Sequence, residues 1–472
     1  MNELQLILAI VTGIALLLVL IIKVKLNAFL SLLIASIWVG LIGGLSPDLV
    51  VGSIKKGMGD TLAFVATIVG LGAIFGALLE NSGGAQALAK YLIKKGGEQK
   101  SRLALLVTGF IVSIPVFFDV GIIILFPIVK ALARRIKKNV LYFALPLLTG
   151  LGVTHSFIPP TPGPVAVADI LKVDIGYAII VGILIGLPVA LVCGLVFAKW
   201  ITPDEIDEPA DGEVVEEVNT EYDPGLVKTI FRVLGIPIGL ILIGSLIKTL
   251  LKEGVIGRSG LVDLFSFMGD GMTGIAVDVC VWFGKAIVFL GDPIIALILA
   301  TLMALHYLGT KRGLTRKALF DVSNRSLGPA GSIILITGAG GVLKQMMITT
   351  GIGDLIGQAM QESAMSVVVL AYLVAVLVRI MQGSATVAML TAAGIVSAVI
   401  TGMDYSMMDK TLIMMAIAAG SIVMSHVNDS GFWLVNRYLN HSVQQTLRSW
   451  TIQSTMISVT SFILIFTAYI LL

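Results

Sequence analysis

The chain has 472 residues, of which 57% are hydrophobic and only 13% charged, with a formal net charge of +3. Soluble domains carry roughly 25% charged residues, and apolar runs of the kind that fill a bilayer recur here from end to end, so a soluble enzyme or a nucleic-acid-binding module is excluded. Two cysteines, Cys193 and Cys280, are too few for a disulfide framework or a metal cluster.

Uncharged apolar runs at 4–22, 26–45, 61–79, 175–198, 380–403 and 449–472 each approach or exceed the roughly 20 helical residues that span a bilayer core. The first lacks a small-residue cleavage pattern and is too long for a signal sequence, so it is read as a retained span. Crossings are expected near 4–22, 26–45, 61–80, 140–170 and 176–200. A second set is expected near 226–250, 293–309, 329–350, 411–438 and 449–472. Two re-entrant hairpins are expected, near 103–133 and 367–402. The stretch 261–291, with Asp263, Asp270, Asp278 and Lys285, is read as interfacial. Between the two sets, Thr202–Pro224 carries ten acids, no Lys or Arg, and three prolines, the composition of a solvated linker. The predicted organisation is a first unit over 1–200, a linker over 201–224 and a second unit over 225–472.

The two units resemble one another weakly. Gly70–Lys90 lies over Gly338–Gln358 at an offset of 268 residues without a gap. Asp119–Ile124 then falls near Thr386–Thr391, and Thr149–Pro160 near Ala419–Ser430, which sets His155 over His426. Lys and Arg crowd Lys90–Arg102 and Arg134–Lys138 in the first unit, which the positive-inside rule places in the cytoplasm. The matching flanks of the second unit hold Asp354, Glu362, Asp404 and Asp409 against Lys410 alone, whereas Lys311–Lys317 is basic. The units therefore point opposite ways, and an inverted repeat with interrupted helices is a secondary-transporter architecture. The expected fold class is an all-α polytopic membrane protein with two re-entrant hairpins and two broken helices.

The candidate functional residues sit at the interruptions. "PVFFDVGIIILFP" places Asp119 between helix-disrupting Pro115 and Gly121. Broken backbone within a membrane is tolerated where it faces protein or a wet cavity, and an intramembrane acid is costly enough to imply function. "THSFIPPTPGPVAVAD" carries four prolines, at 159, 160, 162 and 164, which forbid a continuous helix; Thr154, His155 and Thr161 are its candidate ligands. His155 suits proton exchange near neutrality, or, alternatively, holds the broken helix together. "MQGSATVAML" offers Gln382, Gly383, Ser384 and Thr386 at the second hairpin tip, where backbone N–H groups and a helix N-terminus favour an anion. "SHVNDSGFW" gathers His426, Asn428, Asp429 and Ser430. Lys344 and Arg379 are candidate carboxylate partners; they could equally neutralise Asp119 or Asp429, or snorkel to the interface. No phosphate loop, nucleophile elbow or metal-ligand spacing is present, and "GAGG" at 338–341 lies in an apolar span rather than after a strand. Neither an enzymatic activity, a cofactor nor a metal is expected, and uphill transport would draw on an ion gradient.

Together, "IPVFFDVGIIILFPI", "LPLLTGLGVTHSFIPPTPGPVAVA", "GDPIIALI", "ITGAGG", "QGSATVAMLTAAG" and "SHVNDSGFWL" resemble the gluconate permease family of bacterial sugar-acid transporters. The resemblance implies a multi-pass inner-membrane symporter, usually proton-driven, within the broader ion-transporter superfamily. It also implies a scaffold and a mobile transport domain, commonly in a homodimer that moves like an elevator. Members carry gluconate, related hexonates, glycerate or D-serine, each a carboxylate beside hydroxyls. A proton-coupled symporter of gluconate or a related hydroxy acid is therefore expected. Sodium coupling or exchange, with Asn428, Asp429 and Ser430 as hard oxygen ligands, is the alternative; a membrane receptor or intramembrane enzyme is more distant.

Overall fold

The computed structural model describes residues 3–202, 221–252, 270–352, 355, 365–401 and 403–472. Most of the acidic linker, together with Asp263, Asp354 and Glu362, lies outside the described residues. Among those described, every regular element is helical. The first half comprises α1 (Glu3–Ile22), α2 (Ala28–Ile42), α3 (Pro47–Asn81), α4 (Gly84–Gly96), α5 (Ser101–Val112), α6 (Phe118–Ile136), α7 (Leu141–Phe157), α8 (Pro162–Leu171) and α9 (Ile175–Ile201). The second comprises α10 (Pro224–Lys252), α11 (Asp270–Leu290), α12 (Pro293–Arg312), α13 (Arg316–Thr350), α14 (Val367–Gln382), α15 (Ala385–Ile400), α16 (Met407–Ser421), α17 (Ser430–Leu439) and α18 (Val443–Leu471).

Local chemistry fixes many of the boundaries. Ser46, Thr315 and Ser442 accept a hydrogen bond from a backbone N–H three residues on and so start α3, α13 and α18. Asp174 does the same for α9, and Ser406 with Asp409 forms a capping box for α16. Among the described residues, eight stretches are long and apolar enough to cross a membrane: α1, α3, α7 with α8, α9, α10, α12, α13 and α18. Exposed Leu and Ile on α1, α9, α10 and α18 fit a lipid solvent, so the polytopic helical class stands.

Several details depart from the expected spans. Helices α3 and α13 each run 35 residues, about 52 Å at 1.5 Å per residue, and begin well before residues 61 and 329. Lys55, Lys56 and Asp60 lie exposed along α3, so their charge does not end it. Pro329 sits within α13 without terminating it. The span expected at 26–45 is the 15-residue α2. Of the stretch read as interfacial, residues 270–290 form the 21-residue α11, packed on α10.

Several helices of the two halves start at similar offsets. Helix α3 starts at Pro47 and α13 at Arg316; α7 starts at Leu141 and α16 at Met407; α9 starts at Ile175 and α18 at Val443. Contacts are reciprocal: α2 packs on α13 and α12 on α3; α5 on α7 and α14 on α16; α8 on α15 and α17 on α6. The two longest helices pack antiparallel. Gly57 and Thr61 of α3 meet Gly341, Ser53 bonds Thr349 at 3.1 Å, and further along Gly70 approaches Leu327. A smaller apolar core joins α1, α2, the start of α3 and the end of α13, while a larger one fills the remainder.

Candidate functional site

Four helix interruptions come together around one cavity. Between α5 and α6 the chain turns through Ser113–Phe117, with Ser113 Oγ donating to the Val116 carbonyl at 3.2 Å. Between α7 and α8 it turns at 158–161, a shorter break than four prolines suggested. Pro162 occupies the first turn of α8, where its missing N–H costs nothing, and Pro164 follows inside the helix. Between α14 and α15 only Gly383 and Ser384 intervene. Gly383 has φ +87°, and a Cβ there would run into the Asn428 carbonyl group, so this turn requires glycine. Between α16 and α17 the chain runs from Ile422 to Asp429, with Met424 at φ +46°.

Each interruption is followed by a helix whose first turn borders one cavity of about 420 Å³. Phe118 and Asp119 open α6, Pro162 opens α8, Ala385 and Thr386 open α15, and Ser430 and Gly431 open α17. Four helix N-termini, each with a partial positive charge, thus meet around one space; those of α6, α15 and α17 also offer backbone N–H groups, whereas Pro162 of α8 has none. That arrangement suits an anion.

The charged groups in the cavity are unequal. Arg379, on α14, has a side chain only 4% exposed. It bonds Asp429 Oδ2 and the Gly383 carbonyl, and its Nε donates to the Val423 carbonyl at 3.3 Å. Asp429 is held further by Ser425 Oγ at 2.5 Å and by the Gly431 N–H at 2.9 Å. Ser425 in turn accepts from Trp450 Nε1 at 2.8 Å. The guanidinium therefore braces the turn between α14 and α15 against the segment between α16 and α17. Asp119 makes no hydrogen bond or ion pair among the described residues, and it faces the cavity. His155 lines the same space, its ring 6.3 Å from that of Phe117 and its buried Nδ1 without a protein partner.

Of the residues expected from sequence, Asp119, His155, Arg379, Ser384, Thr386, Asp429 and Ser430 meet at this cavity. The others do not line it. Thr154 Oγ1 donates to the Phe110 carbonyl at 2.8 Å and ties α7 to α5. Thr161 Oγ1 donates to the Ile158 carbonyl at 2.6 Å, closing its own turn. Gln382 has its Oε1 buried outside the lining, and Gly383 contributes backbone only. His426 lies toward the surface with Nδ1 at 2.8 Å from the Met424 carbonyl, and Asn428 Nδ2 donates to the Ile380 carbonyl at 2.9 Å. Lys344 stands apart, its Nζ 2.5 Å from the Ile170 carbonyl at the end of α8. Sequence reasoning missed Phe118 and Trp450, whose rings stack at 5.5 Å, and Pro329 and Ile333. The adjacent phenylalanines beside Asp119 were a signal for the first. Trp450 and Ile333 lie in unbroken helix with no local mark.

Comparison with known proteins gives a consistent result. The profile of GntP family permeases matches residues 4–284 and 281–471. The chain is 35% identical over 455 residues to a gluconate permease of Bacillus subtilis (strain 168), covering 95% of each. It is 34% identical over 451 residues to the Gnt-II system L-idonate transporter of Escherichia coli (strain K12), covering 95% of this chain and 96% of that one. In fold it is similar to the YdaH transporter of Alcanivorax borkumensis, with a TM-score of 0.59 at 13% identity over 89% of each chain. It is also similar to MtrF of Neisseria gonorrhoeae, with a TM-score of 0.61 at 15% identity, over 89% of this chain and 84% of that one. These relatives are permeases and transporters, not enzymes, and the eight apolar stretches make the chain a multi-pass membrane protein, consistent with the bacterial inner membrane. On sequence match along nearly its whole length, the chain belongs to the GntP family of permeases.

Proposed function

We propose that this protein is a proton-coupled symporter that imports gluconate or a closely related hydroxylated carboxylate. The observation that carries the reading is an unpaired carboxylate, Asp119, in a cavity otherwise built to attract an anion. The N-termini of α6, α15 and α17 supply N–H donors for a carboxylate, and Ser156, Ser384, Thr386 and Ser430 supply hydroxyls for a polyol tail. The named substrates of the relatives, gluconate and L-idonate, carry both groups.

Charge then supplies the coupling. A ligand carboxylate ~5 Å from an ionised Asp119 is repelled by roughly 3 kcal/mol at an effective dielectric near 20. Protonation of Asp119 removes that term, so substrate and proton bind better together than apart. Arg379 does not remove it, because Asp429 already neutralises the guanidinium. His155, beside the cavity, is the second candidate for the proton.

The same proposal extends to how the site moves. Antiparallel α3 and α13 and the reciprocal contacts of the two halves support an inverted repeat, in which α11 is the counterpart of α1. The hairpins α5–α6 and α14–α15 and the broken helices α7–α8 and α16–α17 would then travel as one body past α3 and α13. Purified protein in liposomes tests the function directly. Labelled gluconate should accumulate under an inward proton gradient and leak away when a protonophore collapses it. Accumulation that tracks a sodium gradient and ignores pH would overturn proton coupling, and failure to take up any sugar acid would overturn the substrate class.

A further inference from the structure

A second cavity, of about 260 Å³, adjoins the first. Phe117, Val120 and Pro329 border both. Its walls are one face of α3, at Ala73, Gly76, Ala77 and Glu80, and one face of α13, at Val322, Arg325, Ser326 and Pro329. These i, i+3, i+4, i+7 spacings put each set on a single helical stripe. Ile333, one turn beyond Pro329, lines the inner cavity. The α13 stripe is thus a continuous track from the central site outward.

The track has a definite side and a definite polarity. Helix α3 ends at Asn81 and leads into α4, which carries Lys90, Lys94 and Lys95. Helix α13 follows Lys311 and Arg312 and opens on Arg316 and Lys317. Both ends are cytoplasmic by their basic flanks. Within the outer cavity Arg325 makes no hydrogen bond or ion pair among the described residues, and neither does Glu80. Asn81 and Ser326 donate to the Ala77 and Ser323 carbonyls at 3.0 and 2.7 Å, and so add an amide oxygen and a hydroxyl oxygen as acceptors. Arg325 offers its fork to a carboxylate, while Glu80, which repels a carboxylate, accepts only from a hydroxylated tail, as do the Asn81 and Ser326 oxygens; together they match a small acid with such a tail. The volume is slightly below the roughly 300–1,000 Å³ of pockets for drug-sized ligands, which suits so small a molecule.

We propose that this outer cavity is a cytoplasmic vestibule with its own subsite for a small hydroxy acid, in which Arg325 receives the carboxylate as it leaves the central site past Phe117. The inference rests on the transport reading above for the identity of the acid, but its charge preference is measurable without transport. Ser326→Cys, in a C280S background that leaves only buried Cys193, is labelled from the cytoplasmic face of inside-out vesicles of zwitterionic lipid, so that no anionic headgroup competes. Anionic and cationic methanethiosulfonates of similar size are compared. The anionic reagent should react at least about threefold faster than the cationic one, and adding R325Q should abolish that preference. Asn81→Cys provides a second reporter should Ser326→Cys fold poorly. No reaction from the cytoplasmic face at either position, or a preference unchanged by R325Q, would overturn the vestibule. Gluconate uptake by the unsubstituted protein is read in parallel; its absence would strike the transport reading, while the labelling ratio would still decide the vestibule.

Discussion

Asp119 and Asp429 are both cavity carboxylates, and their surroundings separate their tasks. Asp429 caps α17 and takes bonds from Arg379, Ser425 and the Gly431 N–H; Asp119 has none of these. Asp119→Asn should therefore leave the protein folded and able to exchange labelled for unlabelled gluconate, while losing accumulation driven by a pH gradient. Counterflow measured with and without that gradient separates the two, and a variant still driven by pH would remove Asp119 from the proton path. Arg379→Gln should instead act on stability. It strips a buried carboxylate of its counter-charge and the Gly383 carbonyl of a donor, a change that costs about 3–5 kcal/mol in buried pairs. Thermal unfolding in detergent should show the loss, and D429N added to R379Q should recover part of it. Lysine at 379 should substitute poorly, since one ammonium cannot hold Asp429, Gly383 and Val423 in the planar geometry of the fork. At this scale the sequence was informative wherever a polar group interrupted an apolar run, as at Asp119 and Ser384. It was silent where a helix passes the cavity without a break, as at Trp450 and Ile333. It also could not tell a ligand from a brace: Thr154 and Thr161 look like cavity hydroxyls in the sequence, yet each spends its proton on a nearby carbonyl.

Among elements, the glycine-rich run at 338–341 shows how context decides a motif. It neither cradles phosphate nor opens a helix after a strand; it lets α13 lie directly on α3. A Cβ on Gly341 would overlap Thr61 Oγ1 and sit 2.5 Å from the Gly57 carbonyl oxygen. The second clash is with backbone and cannot be relieved by a rotamer change. Close approach of this kind, through small residues, is how helices associate in lipid, where no hydrophobic drive separates them from solvent. Gly341→Leu should lower the thermal stability of the purified protein by about 1–3 kcal/mol, the usual cost of overpacking, and Thr61→Ala should relieve it only in part. An unchanged melting temperature would mean that the two helices separate without penalty. Helix breaks were legible because proline and glycine act locally, through a missing N–H or a positive φ. Helix lengths were less so. The exposed charges of α3 suggested an end near residue 61, but a helix can carry charge on its outer face for several turns and continue to the cap at Ser46.

For the whole molecule, the proposed repeat has the clearest mark in sequence, and helix starts such as Ile175 and Val443, 268 residues apart, support it. The sequence alone does not assign a sliding surface to the proposed motion. The proposed moving body meets α13 through α8 and α15, and the α15 contact is tight. A Cβ built on Gly340 lies 3.5 Å from Leu390 Cβ, within the roughly 3.5–4.5 Å that a disulfide spans. Gly340→Cys with Leu390→Cys should therefore oxidise to a cross-link in this conformation. If α15 travels past α13 during transport, the cross-link should abolish gluconate uptake while leaving gluconate binding, read as a thermal shift, in place, and reduction should restore uptake. Each single cysteine variant controls for the substitution itself. Uptake that continues in fully oxidised protein would show that α13 and α15 keep their contact throughout the cycle, and would confine the motion to the hairpin tips that face the central cavity.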